Sequence, residues 1–249
     1  MPEILNLIAA ARRAAADHEF ASAATQATAV LSQLPTCLAA LRILAWAQLE
    51  LDSDDARATF DRCSGLDPED VLSYVGQAIW LQQRGDDAAA SQHWVRAWEL
   101  DSFNQAIRRA LVKLTGELPE SAFADAIELL RGGREHEAAD MLRRLRAERS
   151  DVVISLSLIS ALWGSGAHKE AFEVAVAVHH THPASVKAAL FVGALEERAG
   201  RTLRSREAIA RAEQVDPGLT LFADTVRQVG LQPALDLHRA SRTPLAAAR

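Results

Sequence analysis

One recurring pattern constrains the fold of this chain more than any other feature. Ala56, Phe60 and Cys63 precede Asp67-Pro68, and Ser205, Ile209 and Ala212 precede Asp216-Pro217. In both, a small residue stands twelve before the proline, a bulky one eight before, and another small one five before. The same frame fits Ala23, Ala27, Val30 and Pro35; Ala90, Trp94, Ala97 and Ser102; Ala138, Leu142, Leu145 and Ser150; and Ala171, Ala175, Val178 and Pro183. The leading small residues fall at 23, 56, 90, 138, 171 and 205, with spacings of 33, 34, 48, 33 and 34. Self-similarity at a fixed period means a stack of like units.

The unit has a physical logic. A first helix carries apolar residues on one face, as in Val71, Tyr74, Ala78 and Leu81. A glycine five residues before the leading small residue (Gly85, Gly133, Gly166, Gly200) stops that helix. A second helix follows, opened by acids such as Asp54-Asp55 and Asp86-Asp87, which suit a helix N-terminus. The small residue lets the two helices approach closely, and the proline ends the second. Composition agrees with helix throughout. The 249 residues include 49 alanines, 24 arginines against 3 lysines, and only 12 glycines and 8 prolines, too few turn residues for a many-stranded sandwich or barrel. The Ala- and Arg-rich usage suggests a bacterial source.

The period and the small–bulky–small–Pro pattern resemble the tetratricopeptide repeat family. The resemblance covers six units: Ile4–Pro35, Cys37–Pro68, Val71–Ser102, Pro119–Ser150, Val152–Pro183 and Val186–Pro217. It implies an all-α fold, an α-solenoid wound as a right-handed superhelix of six helix pairs. There are departures: the bulky first-helix residue Tyr74 of the third unit is Ala40 in the second and Ser155 in the fifth, and the second unit lacks its turn glycine.

The spacing of 48 is 34 plus 14, room for one extra helix, which residues 103–115 supply before Gly116 and Pro119. Residues 219–229, ended by Gly230, supply a C-terminal capping helix of the kind that covers the last apolar face of a solenoid. The expected organisation is an N-terminal three-repeat half at 1–117, a C-terminal half at 118–240, and a frayed tail at 241–249; the alternative is one continuous superhelix with a kink near 116–119.

Little in the chain points to chemistry. No phosphate loop, nucleophile elbow or zinc-ligand spacing is present. His179, His180 and His182 sit at a helix end, where the dipole favours them, and not in a metal-ligand arrangement. Arg143, Arg144, Arg146 and Arg149 interleave with Glu135, Glu137, Asp140 and Glu148, which reads as a solvated face and not a nucleic-acid surface. The repeats leave too few residues for a catalytic domain. The expectation is a non-enzymatic chain with no cofactor and no metal. A net charge of −6 gives no general attraction to nucleic acid. The longest apolar run, Val152 to Trp163, is shorter than the roughly 20 residues of a membrane helix and holds three serines, and no basic n-region leads the chain. A cytoplasmic protein without membrane insertion is expected, with Cys37 and Cys63 as ordinary thiols.

Charge sorts by helix. Residues 1–117 hold 16 acids and 10 bases, yet the first-helix spans 4–16, 37–49, 71–84 and 105–115 contain no acid. By helical phase Arg12, Arg42, Arg109 and Lys113 point into the concave groove with Gln48, Gln82 and Gln83. The groove of the second half reads apolar, through Phe123, Ile127, Leu156, Trp163 and Phe191. Carboxylate-gripping members of the family place Lys and Asn in the groove. The matching positions here, Leu5 and Ala9, Leu38 and Arg42, Leu72 and Gly76, offer only Arg42, so that activity does not carry over.

The expected function is an adaptor or scaffold that holds a segment of another protein, acidic at the N-terminal groove. Arg42, Arg109 and Lys113 would read its acids, and Trp163 and Phe191 would supply apolar contact. The alternative is a structural subunit that self-assembles or belongs permanently to a larger complex, with its apolar face covered by another copy of the chain.

Overall fold

The computed structural model describes residues 2–236, and within them the chain is all helix and turn. The anticipated tail at 241–249 lies outside the described residues. Helices α1 (Pro2–Ala16) and α2 (Phe20–Gln33), α3 (Leu38–Glu50) and α4 (Asp55–Leu66), and α5 (Val71–Gln83) and α6 (Asp87–Leu100) form three consecutive pairs. The extra helix α7 (Gln105–Thr115) packs against α6. Three further pairs follow: α8 (Ala122–Arg131) with α9 (Glu135–Glu148), α10 (Val152–Gly164) with α11 (His168–Thr181), and α12 (Val186–Arg198) with α13 (Thr202–Val215). The capping helix α14 (Ala223–Val229) sits on α12, and 232–236 are again helical. No helix among the described residues is long and apolar enough to cross a membrane.

The turns between paired helices need a left-handed residue. Gly85, Gly133, Gly166 and Gly200 supply it with φ between +72° and +82°. The first two units manage without glycine. His18 (φ +60°) and Asp52 (φ +53°) take the conformation instead, and both belong to the few residue types that tolerate it. Asp52 therefore explains how the second unit turns despite lacking its glycine.

The leading small residues do what their spacing requires: Ala23, Ala56, Ala90, Ala138, Ala171 and Ser205 are all fully buried. Units also pack closely on one another. Phe60 of α4 is fully buried against α5, and a Cβ added to Gly76 would lie 2.1 Å from the Phe60 ring. Gly76 is thus the slot that receives Phe60.

Helix α10 is unlike the rest. Every residue from Val153 to Trp163 is buried. A helix apolar on all sides must be covered on all sides. Neighbours α8, α9, α11 and α12 cover part of it. Gln228 of α14 covers its C-terminal end, and from the other half of the chain Leu38, Leu41, Cys63, Leu66 and Leu100 share one continuous core with Phe123, Ile154, Leu156, Val186 and Phe222. The solenoid curls until its later pairs meet the middle of the concave face of its first three.

Gly76→Ala is expected to destabilise the protein by about 1–3 kcal/mol, because overpacking against Phe60 outweighs the ~1 kcal/mol that alanine gains in helix propensity. Urea denaturation of the two proteins measures the difference.

Candidate interaction surface

The loop between α4 and α5, Asp67-Pro68-Glu69-Asp70, lies where the two ends of the chain meet. Glu69 accepts from Ser157 Oγ of α10 at 2.9 Å and from Lys187 Nζ of α12 at 2.6 Å. Arg42 of α3 donates Nε to Asp70 at 3.0 Å and Nη2 to Asp67 at 3.2 Å, and Ser73 Oγ donates to Asp70 at 2.5 Å. Arg96 of α6 donates to Asp151 at the start of α10 at 2.6 Å. Burial, with the neighbouring Asp70 and Glu69 charges, pushes the Asp67 carboxyl up to about 7 against the pull of Arg42 and Lys187. Burial likewise pushes the adjacent Cys63 thiol up to about 12. Both cysteines are free and buried.

A second contact closes the opening between the ends. The elbow after α13 turns through Gly218 (φ +84°) and Leu219 (φ +51°), and the buried Asp216 carboxylate holds it by accepting from the Leu221 N–H at 2.7 Å and the Phe222 N–H at 3.2 Å. Leu221 packs against the buried cluster that includes Ile8, Val30, Ala39 and Ala40, and Thr36 Oγ1 donates to the Gln214 carbonyl at 3.3 Å.

These contacts decide where the anticipated groove residues sit. Phe123, Leu156 and Phe191 are interior side chains. Trp163 is buried as well: it packs on Phe191 with centroids 5.4 Å apart, donates Nε1 to the Gln228 carbonyl at 3.0 Å, and carries Arg198 over its ring. The apolar side chains expected to line a groove lie instead in the chain's own core, which corrects that expectation. They are covered by α12 and α14 around Trp163 and meet the α4–α5 loop at Ser157. Arg42 corrects in the same way, because its guanidinium is spent on Asp67 and Asp70. Gln48 accepts from Thr59 Oγ1 at 2.7 Å and Gln82 from Trp94 Nε1 at 2.8 Å, so both have intramolecular partners.

Arg12, Gln83, Arg109 and Lys113 are exposed. Arg12, Arg109 and Lys113, with Arg13, form no ion pair among the described residues. Arg12 borders a cleft of about 240 Å³ lined by Leu5, Ile8, Ala9 and Ala39 on one side and Asp216, Pro217 and Thr220 on the other. Three leucines at equivalent first-helix positions trace how far the closure extends. Leu5 is 42% exposed, Leu38 is 0% and Leu72 is 50%. The last repeats cover the middle of this stripe and leave its two ends bare.

Sequence reasoning missed Glu69, Ser157 and Lys187. One signal was available: α10 has no polar face, and its three serines interrupt an otherwise apolar run. The other tryptophans are structural. Trp80 donates to the Ser53 carbonyl and lies under the Arg84 guanidinium at 4.0 Å, while Trp46 meets Phe60 edge to face.

No family model and no curated protein sequence matches the chain. Among solved structures it is similar to the TPR domain of P58(IPK), at 15% identity over 97% of this chain and 67% of that one, with a TM-score of 0.41. A tetratricopeptide repeat protein from Parabacteroides merdae gives 14% identity over 91% and 84%, with a TM-score of 0.39. The TPR2AB domain of yeast Sti1, solved in a complex with pHSP90, gives 13% identity over 96% and 99%, with a TM-score of 0.42.

The raised Asp67 value has a direction that can be tested. A carboxyl whose folded value exceeds its unfolded value, roughly 3.9, contributes stability that is whole below the unfolded value and is lost as pH rises through about 7. Asp67→Asn does not titrate. The stability of the native protein relative to this variant is therefore expected to fall by about 1–2 kcal/mol between pH 5 and pH 8, a figure discounted for the nearby guanidinium and residual solvent. Paired thermal melts across that range read the change, and a native protein that gains stability relative to the variant as pH rises would contradict it.

Proposed function

We propose that this chain is a non-enzymatic protein-interaction adaptor whose binding surface is the part of the concave path that the closure leaves open. The observation that carries this reading is the set of unpaired cations on first helices. Arg12 and Arg13 of α1 and Arg109 and Lys113 of α7 have no ion-pair partner among the described residues, in a stretch of chain where acids outnumber bases. Leu5 and Leu72 stand exposed on the same set of first helices and offer apolar contact. Fixed positive charge beside bare leucines suits a partner segment that alternates carboxylates with apolar residues. In this proposal residues 1–117 present the binding surface, and residues 118–240 are the half that fills and stiffens the rest of the path.

The reading departs from the expected groove in one respect. Arg42, Trp163 and Phe191 serve the fold, and recognition falls to Arg12, Arg109 and Lys113 at the margins, with Gln83 nearby in the sequence frame. Resemblance to a repeat family with protein-binding members supports the general role, and the partner's chemistry is inferred from the charges alone.

The test is capture from cell extract with the native chain and with the fourfold variant Arg12→Glu, Arg13→Glu, Arg109→Glu, Lys113→Glu. All four side chains are on the surface, so the variant is expected to keep its helical content by circular dichroism. Recovery of the partner should fall at least tenfold, and the native interaction should weaken steeply as salt is raised. Equal recovery by the two proteins would refute the assignment.

A further inference from the structure

Helix α7 is a first helix whose second helix is missing. The position twelve residues before each leading small residue faces the second helix of the same unit; Gly193 shows this directly, because a Cβ added there would lie 3.1 Å from Ala208 of α13. At that position Ala11, Ala78, Ala126 and Ile159 are fully buried and Leu44 is half-buried. Thirty-four residues on from Ala78 comes Val112 of α7, and it is 39% exposed. Thr115, the counterpart of the buried Leu81, is exposed too. Phe103, just ahead of the helix, is 60% exposed. The opposite face of α7, with Ile107 and Leu111, is buried against the core it shares with α6. The helix is therefore firmly seated, and it presents outward the strip that every complete unit covers.

The charges beside the strip narrow what covers it. Among the described residues Arg109 and Lys113 form no ion pair, and Arg108 donates to the Ser102 carbonyl. A second copy of the chain docked symmetrically would bring the same cations against each other. The second helices of this chain show the complementary chemistry. α6 presents Ala90, Trp94 and Ala97 to α5, and carries Asp86 and Asp87 exposed at its start.

We infer that α7 is a docking helix, which takes a helix of another protein in the place of its missing second helix. The incoming helix presents a small–bulky–small face to Val112 and Thr115 and carboxylates to Arg109 and Lys113. It completes the unit in trans, with the spacing that the chain uses six times in cis. This inference rests on the proposed role of Arg109 and Lys113 in partner binding and gives that partner a shape.

The test uses the full chain and a helix-stabilised, fluorescein-labelled peptide that copies residues 86–101. Fluorescence anisotropy is expected to show saturable binding, weakened at least tenfold by Val112→Glu, a surface change that leaves the circular dichroism spectrum unaltered. Arg109→Glu with Lys113→Glu is expected to weaken binding and flatten its salt dependence. Binding that ignores Val112→Glu overturns the docking strip, even if charge reversal abolishes it, and in that case the proposed function survives. Sensitivity to Val112→Glu without sensitivity to charge reversal supports the strip and counts against the proposed charge recognition. Absence of saturable binding, or a dimer in sedimentation that Val112→Glu dissolves, overturns the inference.

Discussion

Covering helix α10 is the constraint from which the shape of this molecule follows. A first helix in an open solenoid keeps one side toward the groove, and that side is normally polar. From Val153 to Trp163 there is no such side. Each large apolar side chain left in water would forfeit about 1.5–3 kcal/mol, so the helix cannot line an open channel. Its serines fit burial because none is left unpartnered: Ser155 and Ser160 donate back to carbonyls one turn earlier, and Ser157 donates to Glu69 across the closure. Leu38, Leu41 and Leu66 complete the cover from the other end of the chain.

Once the ends meet, charge placement follows. The α4–α5 loop brings three carboxylates, at Asp67, Glu69 and Asp70, into a half-buried junction, and Arg42, Ser73, Ser157 and Lys187 are the groups that make this tolerable. Partly buried ion pairs of this kind add little net stability, because desolvating both charges offsets their attraction, yet breaking one strands its partner. The apolar core supplies the attraction, and the ion pairs set the register in which the two ends come together. The surface available to other molecules is what this closure leaves over, namely the margins of the concave path and the outer strip of α7.

Local structure was legible in the sequence because it depends on residues close together in the chain. The leading alanines are buried, Trp94 is core, and the turn glycines all have positive φ. The extra helix expected at 103–115 forms over Gln105–Thr115, with Asn104 as its cap, and the capping helix expected at 219–229 forms only over Ala223–Val229 because Asp216 organises the elbow before it. The groove residues were not legible. A helical phase tells which way Arg42 or Leu156 points relative to its own helix, and says nothing about what lies opposite. That depends on the curvature summed over several units, and the groups that settle it are far apart: Glu69 and Lys187 are separated by 118 residues. The all-apolar character of α10 was the only local trace of this long-range arrangement.

Closure also bears on how such a chain can change over generations. A linear array tolerates gain or loss of a unit, since each unit touches only its neighbours. Here the sixth pair must arrive at the first and second at the right distance and rotation. Duplicating any 34-residue unit between them would carry Lys187 away from Glu69, Thr36 away from Gln214, and the elbow away from Ile8. The number of units is thus fixed by geometry. The described pairs are also expected to lose their structure as one cooperative body, because the first and last of them are joined to each other. Growth by repeat duplication, the usual route by which arrays of this kind lengthen, is closed to it.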